Sequence, residues 1–256
     1  MKLDHVTSRD NPALVRLRKL AADPGGYRKT GSVWIEGDHL LRAALLRGWT
    51  PGLVVITEAA MQDAALQALT EAASRVLVVQ TALFKTLSGL ESPAQIGAEL
   101  ALPAAPDIDA GAASLVLDRL QDAGNVGAIL RSAAAFGVRQ VLALKGTAAL
   151  WSPKVVRAGQ GAHFGLRLRE GLTVADLAAL AVPLVATSSH DSQPLHRVAL
   201  PSPCAWVMGH EGQGVSAELM ARCALRVGIP QPGGEESLNV AAAAAICLYE
   251  SERQKG

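Results

Sequence analysis

No stretch of this chain is apolar for long enough to cross a bilayer, and its start, MKLDHVTSRD, carries charge without the apolar core of a signal peptide. The expectation is a cytoplasmic protein. Cysteine is scarce: Cys204, Cys223 and Cys247 are odd in number and lack metal-ligand spacing, which argues against a disulfide framework and predicts reduced, buried thiols. His5, His39, His190 and His196 show no metal pattern either, so no metal site is expected. The net charge is only +1, and overall charge therefore gives no nucleic-acid signal. Charge is nonetheless uneven. Residues 1–48 hold nine basic against five acidic side chains, residues 49–113 two against seven, and residues 114–256 thirteen against eleven. A polyanion would meet the N-terminal segment first, and the acidic middle reads as a solvated face.

What is present is a core. Half of the 256 residues are hydrophobic, enough for one large domain or two small ones. LRKLAADPGGYRKTG ends a short basic helix at a strong breaker, and SVWIEGDHLLRAALLRG follows as strand, turn and amphipathic helix closed by Gly48. LVVI, an alanine-rich helical stretch, VLVVQ and IGAEL continue the alternation, giving a small α/β unit over residues 1–103. Two prolines, two aspartates and small residues over Leu102–Ala113 mark a linker, set at 104–113. Strands then alternate with helices over 114–256: SLVLDRL, a helix from about Val126 to Phe136, QVLAL, PLVATSS, CAWVMG, a helix near Val215–Cys223, LRVGIP and a final helix near Asn239–Arg253. That alternation predicts a mainly parallel sheet, in which ligands bind beyond the carboxyl ends of the strands. The loops after Leu120, Ser189, Gly209 and Ile229 are the places to look.

Three of these loops carry unusual composition. In QDAGNVGAILR, Gly124 and Gly127 permit a sharp turn and close approach, Asn125 suits a helix cap, and Arg131 projects from the first turns of the helix. In WVMGHEGQGVSAEL, Gly209, Gly212 and Gly214 surround Glu211 in an order that is neither the dinucleotide fingerprint nor a phosphate loop. In VGIPQPGGEESLNVAAAAAICLYE, Pro230, Pro232, Gly233 and Gly234 forbid regular structure, Ser237 or Asn239 caps a helix, and Ala241–Ala245 allows another backbone to pack closely.

Taken jointly, NVGAILR, GHEGQGV and IPQPGGEESLNVA resemble the three motifs of the SpoU/TrmH family of SPOUT RNA ribose 2′-O-methyltransferases. SPKVVRAGQGAHF (Ser152–Phe164) is similar to the segment between the first two motifs, and RDNPALVRLRKL with WIEGDHLLRAAL resembles the ribosomal-protein-like substrate-binding domain that many members carry. The resemblance implies an α/β fold with a C-terminal trefoil knot, an exception to the rule that chains are unknotted. It implies S-adenosylmethionine as cofactor, bent among Thr187, Gly209, Gly214, Ile229 and Leu238, and a homodimer through the knot region. Arg131 is the principal catalytic candidate. A guanidinium is a poor base, so its implied role is to orient the 2′-hydroxyl and stabilise developing alkoxide. Asn125 would shape the loop and contact substrate, Glu211 would pair with Arg131, and Ser237 and Asn239 would bind substrate or cap the helix. RNA contacts are expected from Arg16, Arg18, Lys19, Arg28 and Lys29, and from Lys154 and Arg157 by the site, with His163 a further candidate and His210 incidental. Ribosomal RNA is the preferred substrate and transfer RNA the alternative. A non-catalytic RNA-binding relative is disfavoured by the intact motif residues, and a nucleotide-dependent oxidoreductase by the glycine order.

Overall fold

The structure, a computed structural model, describes residues 2–188, 192–233 and 237–255. Ser189, His190 and Gly234, named above, lie outside the described residues. The chain forms two compact units. One comprises residues 1–104 with Trp151–Phe164; the other comprises Ala105–Leu150 with 165–256.

The first unit contains β1 (Lys2–Val6), α1 (Pro12–Ala22), α2 (Tyr27–Thr30), β2 (Ser32–Glu36), α3 (Asp38–Leu46), β3 (Pro51–Thr57), α4 (Ala64–Gln67), β4 (Arg75–Val79), α5 (Thr81–Phe84) and β5 (Ile96–Ala101). Its sheet runs β1-β4-β3-β5-β2, with β1, β4 and β3 parallel and β5 antiparallel to both neighbours. Asn11 caps α1, where Pro12 takes the first position, and Leu14, Leu17 and Leu20 form its buried stripe. The alanine-rich stretch after β3 is not one helix. Single turns at Ala60–Gln62, α4 and Ala68–Thr70 replace it, and Asp63 caps α4.

The second unit contains β6 (Ser114–Leu117), α6 (Ala123–Ala135) and β7 (Gln140–Leu144). The chain then passes through α7 (Pro153–Gly159), which belongs to the first unit, and returns as β8 (Arg167–Leu172), β9 (Leu184–Thr187), β10 (Gln193–Pro194), β11 (Ala205–Met208), α8 (Ala217–Met220), β12 (Leu225–Gly228) and α9 (Val240–Arg253). The order β10-β12-β9-β11-β6-β7-β8 is parallel at every pairing, as the continuous apolar strands predict. Val116, Leu142, Ala186 and Val207 come from four adjacent strands, and they join Leu177, Val182 and Leu219 in one core cluster. Helices α6 and α9 pack together, and Ala244, Cys247 and Leu248 are the buried side of α9. Burial pushes all three thiols up, Cys204 and Cys223 to about 11 and Cys247 to about 12.

Two features differ from the sequence expectation. The linker is laid along the second unit: Arg167 donates to Asp107 O at 3.0 Å, Arg169 to Pro106 O at 3.0 Å, and buried Gln140 exchanges hydrogen bonds with both backbone groups of Asp109. Carbonyls that have no strand partner are satisfied by side chains of the sheet's edge. The segment Trp151–Phe164 departs further, because it packs in the first unit. Trp49 lies 5.7 Å from Trp151 and 5.4 Å from Phe164 between ring centres, and its indole N–H donates to Phe164 O at 3.2 Å. Gly161 sits so close to α3 that a Cβ there would lie 2.6 Å from Ala43 Cβ.

Candidate active site

Parallel strands bring four chain ends to one edge. Leu117 pairs with Met208, Ala186 with Val207, and Thr187 with Val227, so the segments leaving β6, β9, β11 and β12 start side by side. The first and second loops and the start of α9 carry the chemistry-bearing side chains.

The first loop turns at Arg119 rather than at a glycine, with φ +59. Helix α6 then begins earlier than the apolar pattern indicated, at Ala123. Asp122, not Asn125, is its cap, accepting from Asn125 N at 2.8 Å. Gly124 serves that cap, since a Cβ there would lie 2.9 Å from the Asp122 carboxylate. Asn125 is therefore inside the first turn, with its side chain free to reach the other two segments.

The second loop is a tight hairpin. His210 and Gly214 exchange backbone hydrogen bonds of 3.0 and 2.8 Å, and Gly214 has φ +65. At Gly209 a Cβ would stand 2.2 Å from Gly214 C and Val215 N, so no side chain fits. His210 is not incidental: its Nδ1 accepts from Gly212 N at 3.0 Å and Gln213 N at 3.3 Å, which organises the tip. Glu211 projects onto the first loop, accepting from Gln121 N at 3.2 Å, Asp122 N at 3.1 Å and Asn125 Nδ2 at 3.2 Å. Partial burial pushes its carboxyl up, but these hydrogen bonds and one from its own backbone outweigh that and hold it below the usual carboxylate range. Glu211 is thus a cross-loop acceptor, and the expected pairing with Arg131 is absent.

The third segment resolves the choice between Ser237 and Asn239. Asn239 caps α9, its Oδ1 accepting from Ala241 N at 2.9 Å, while its Nδ2 donates to Asn125 Oδ1 at 2.9 Å. Ser237 is exposed and has no hydrogen-bond partner among the described residues. Glu211, Asn125 and Asn239 therefore form one chain of side-chain hydrogen bonds across three segments. Arg131 lies two turns along α6 from the loop, exposed, with no hydrogen-bond or ion-pair partner among the described residues.

The residues expected around a cofactor fall on the same edge. Thr187 ends β9 and lies 3.4 Å from Val207 O through its hydroxyl, Gly209 and Gly214 close the hairpin, half-buried Ile229 follows β12, and Leu238 is exposed. Gly228 must also be small, since a Cβ there would meet Ser192 Oγ at 2.4 Å. Among the described residues there is no cluster of His, Cys, Asp and Glu suited to a metal.

The basic candidates separate by environment. Lys19, Arg28 and Lys29 are exposed in the first unit, Arg28 lying 5.1 Å over the Tyr27 ring. Arg16 is engaged by Glu99, a largely buried carboxylate that also accepts from Ser32. Arg18 donates to Arg9 O, and its Nε is buried without a partner. Lys154 and Arg157 are on α7, which belongs to the first unit. His163 is fully buried, 5.1 Å from the Trp151 ring, and cannot reach RNA. The sequence reading missed Asp118, Arg119, Gln121, Asp122 and Gln213. The first four adjoin the motif NVGAILR and Gln213 lies within GHEGQGV, but none carried a signal beyond polarity.

The chain is 32% identical over 225 residues to the 23S rRNA (guanosine(2553)-2'-O)-methyltransferase RlmP of Bacillus subtilis, spanning 86% of this chain and 88% of that protein. It is 31% identical to an uncharacterized tRNA/rRNA methyltransferase of Synechocystis, spanning 98% and 94%. The crystal structure of an AdoMet-bound rRNA methyltransferase from Sinorhizobium meliloti superposes with a TM-score of 0.86 at 29% identity, covering 98% of each chain. Residues 8–98 match the MRM3-like substrate binding domain. Residues 112–249, more than half of the chain and all three segments of the site, match the SpoU rRNA Methylase family, and the chain belongs to that family.

Proposed function

We propose that this protein transfers a methyl group from S-adenosylmethionine to a ribose 2′-hydroxyl of RNA, with ribosomal RNA the substrate class. The observation that carries the reading is the hydrogen-bonded chain Glu211, Asn125, Asn239, which fixes three segments at the strand ends, with the exposed Arg131 farther along α6 having no partner among the described residues.

The residues at the strand ends fit an adenosyl cofactor. Gly209 leaves only main chain where a side chain would collide, Ile229 and Leu238 supply apolar surface, and none of Thr187, Gly209, Gly214, Ile229 and Leu238 is charged. In this reading the cofactor's looped site is the trefoil knot of residues 114–256. When bound, the cofactor supplies an electrophilic methyl group. The protein's part is positioning, which alone is worth roughly 7–11 kcal/mol when reacting atoms are held in line. Arg131 holds the ribose hydroxyl and offsets the negative charge that grows on its oxygen. Its guanidinium does not take the proton, since it stays charged at neutral pH. Glu211 does not take it either, because both of its oxygens are occupied by N–H donors and its carboxyl is held low, so the proton passes to water at this exposed edge. Asn125 presents the substrate side of the first loop, and Ser237 supplies an exposed hydroxyl beside Asn239.

Residues 1–103 form the RNA-binding part, with Lys19, Arg28 and Lys29 as exposed phosphate contacts. The second unit forms a homodimer: Ala242, Ile246 and Tyr249 make an exposed stripe along α9, Ile246 being 40% and Tyr249 57% exposed. No helix is long and apolar enough to cross a membrane among the described residues, in keeping with a cytoplasmic enzyme. The test is transfer of labelled methyl to fractionated ribosomal and transfer RNA, with mapping of positions resistant to alkaline cleavage. Label in ribosomal RNA is expected. Label in transfer RNA alone moves the substrate class, and cofactor binding without label in either leaves a purely RNA-binding protein. Light scattering should give twice the chain mass; a monomer at working concentration contradicts the dimer.

A further inference from the structure

The turn out of β6 is made by a residue poorly suited to it. Arg119 has φ +59, in the left-handed region where glycine or asparagine would sit at less cost. A side chain persists there when its surroundings over-determine it, and here they do. Arg119 N donates to Thr147 Oγ1 at 3.1 Å, and that hydroxyl donates to Leu117 O at 3.0 Å. The stem of the side chain lies over Gly146, where a Cβ would come within 3.2 Å of Arg119 Cγ. The guanidinium reaches both ways: Nε donates to Asp118 Oδ1 at 3.1 Å and Nη1 to Gln213 Oε1 at 3.0 Å. Asp118 is 1% exposed, and its second oxygen accepts from Ser216 N at 2.6 Å. The dipeptide Asp118-Arg119 thus grips the second loop at Gln213 and Ser216, while the first loop grips Glu211 between them and β11.

We propose that Arg119 is a positioning residue for methyl transfer: by holding Gln213 it sets the hairpin at 209–216 in the register from which Glu211 orients Asn125. The inference rests on the proposed RNA methyl transfer for its kinetic readout, but its mechanical content does not. Arginine suits the task because one planar fork bridges two acceptors, which the single ammonium of lysine would not do at both distances.

The test uses the full chain with Arg119→Gly, which removes the grip and relieves the backbone, together with Gln213→Ala and the double variant. Hydrogen exchange of the amides of Gly212, Gln213 and Gly214 should speed up at least about tenfold in each single variant. At saturating RNA and cofactor, kcat should fall about tenfold or more in either single variant with the RNA KM within about threefold, and the double variant should lose no more than the worse single. Unchanged exchange, an unchanged kcat, or losses that multiply in the double variant would each overturn the inference. So would a raised RNA KM at constant kcat with a shallower salt dependence, which would assign Arg119 to a phosphate instead. A wild-type protein that methylates no RNA refutes the proposed function, and the exchange measurement then still decides the role of Arg119.

Discussion

Replacing Asn125 with alanine separates the architecture of the site from its chemistry. The substitution removes the hydrogen bond to Glu211 at 3.2 Å and the one from Asn239 at 2.9 Å, but it keeps the Asn125 backbone N–H that Asp122 caps. Both lost bonds lie at a half-exposed position where water can replace them, so each is worth about 0.5–1 kcal/mol. Alanine inside the first turn of α6 returns up to about 0.7 kcal/mol of helix propensity. The net cost is about 0.3–2 kcal/mol, or a fall of roughly 1–8 °C in melting temperature for a chain of this size. Activity should suffer more. With Glu211 and Asn239 no longer joined, the three segments lose their shared register, and a misplacement on the order of 1 Å costs about 100-fold in rate, equivalent to ~2.7 kcal/mol. The assay is thermal melting beside single-turnover methyl transfer to ribosomal RNA. A melting temperature lower by more than about 10 °C would make Asn125 a folding residue, and turnover within about threefold of wild type would refute the reasoning outright.

Arg131→Ala should lower methyl transfer by at least about 100-fold while cofactor affinity, measured by calorimetry, stays within about threefold; Arg131→Lys should recover little, since one ammonium cannot present the planar fork. Stability should be unchanged in both, because among the described residues Arg131 has no partner to lose. Arg16→Ala should destabilise the first unit by about 1–3 kcal/mol by leaving Glu99 largely buried without its cation, whereas Lys29→Ala should leave melting unchanged and lower the salt slope of RNA binding by about 1. Glu211 is held below its ordinary value, so the stability it contributes is fully present above the unfolded glutamate pKa of about 4.3 and is lost as pH falls through the lower folded value. Exchange protection of the Gln121 and Asp122 amides should accordingly persist down to that range, and protection lost already near pH 6 would place the carboxyl wrongly.

The parallel sheet and the three loops of the candidate site were legible because both depend on local patterns that the fold then aligns. Apolar runs such as SLVL and AWVM can only be central strands, and the rule that ligands sit past their carboxyl ends picks out the three loops without any knowledge of their contacts. Three kinds of feature were not legible. Strand β1, KLDHV, is an edge strand with four of its five residues exposed or half-exposed, so it lacks the apolar signature of its neighbours. The placement of Trp151–Phe164 depends on Trp49, whose indole bonds a carbonyl 115 residues away, and no local spacing announces that. The start of α6 was obscured by glycine and asparagine, which favour turns; Asp122 overrides that preference by capping the helix before them.

Arg119 in the first loop and Arg131 on α6 stand in opposite environments. Arg119 has its guanidinium committed to Asp118 and Gln213, and its backbone is held in an unfavourable region to keep it there. Arg131 has neither commitment and stands in solvent. Solvation makes an unpaired surface guanidinium inexpensive, whereas pairing it with Glu211 would have to be undone before it could hold a substrate oxygen or phosphate. The carboxylate is instead consumed by backbone and amide donors, so it does not compensate Arg131, the cation that the proposed function sets against RNA. The arrangement preorganises the loops and leaves Arg131 without a partner among the described residues, which is what the proposed contact with RNA requires.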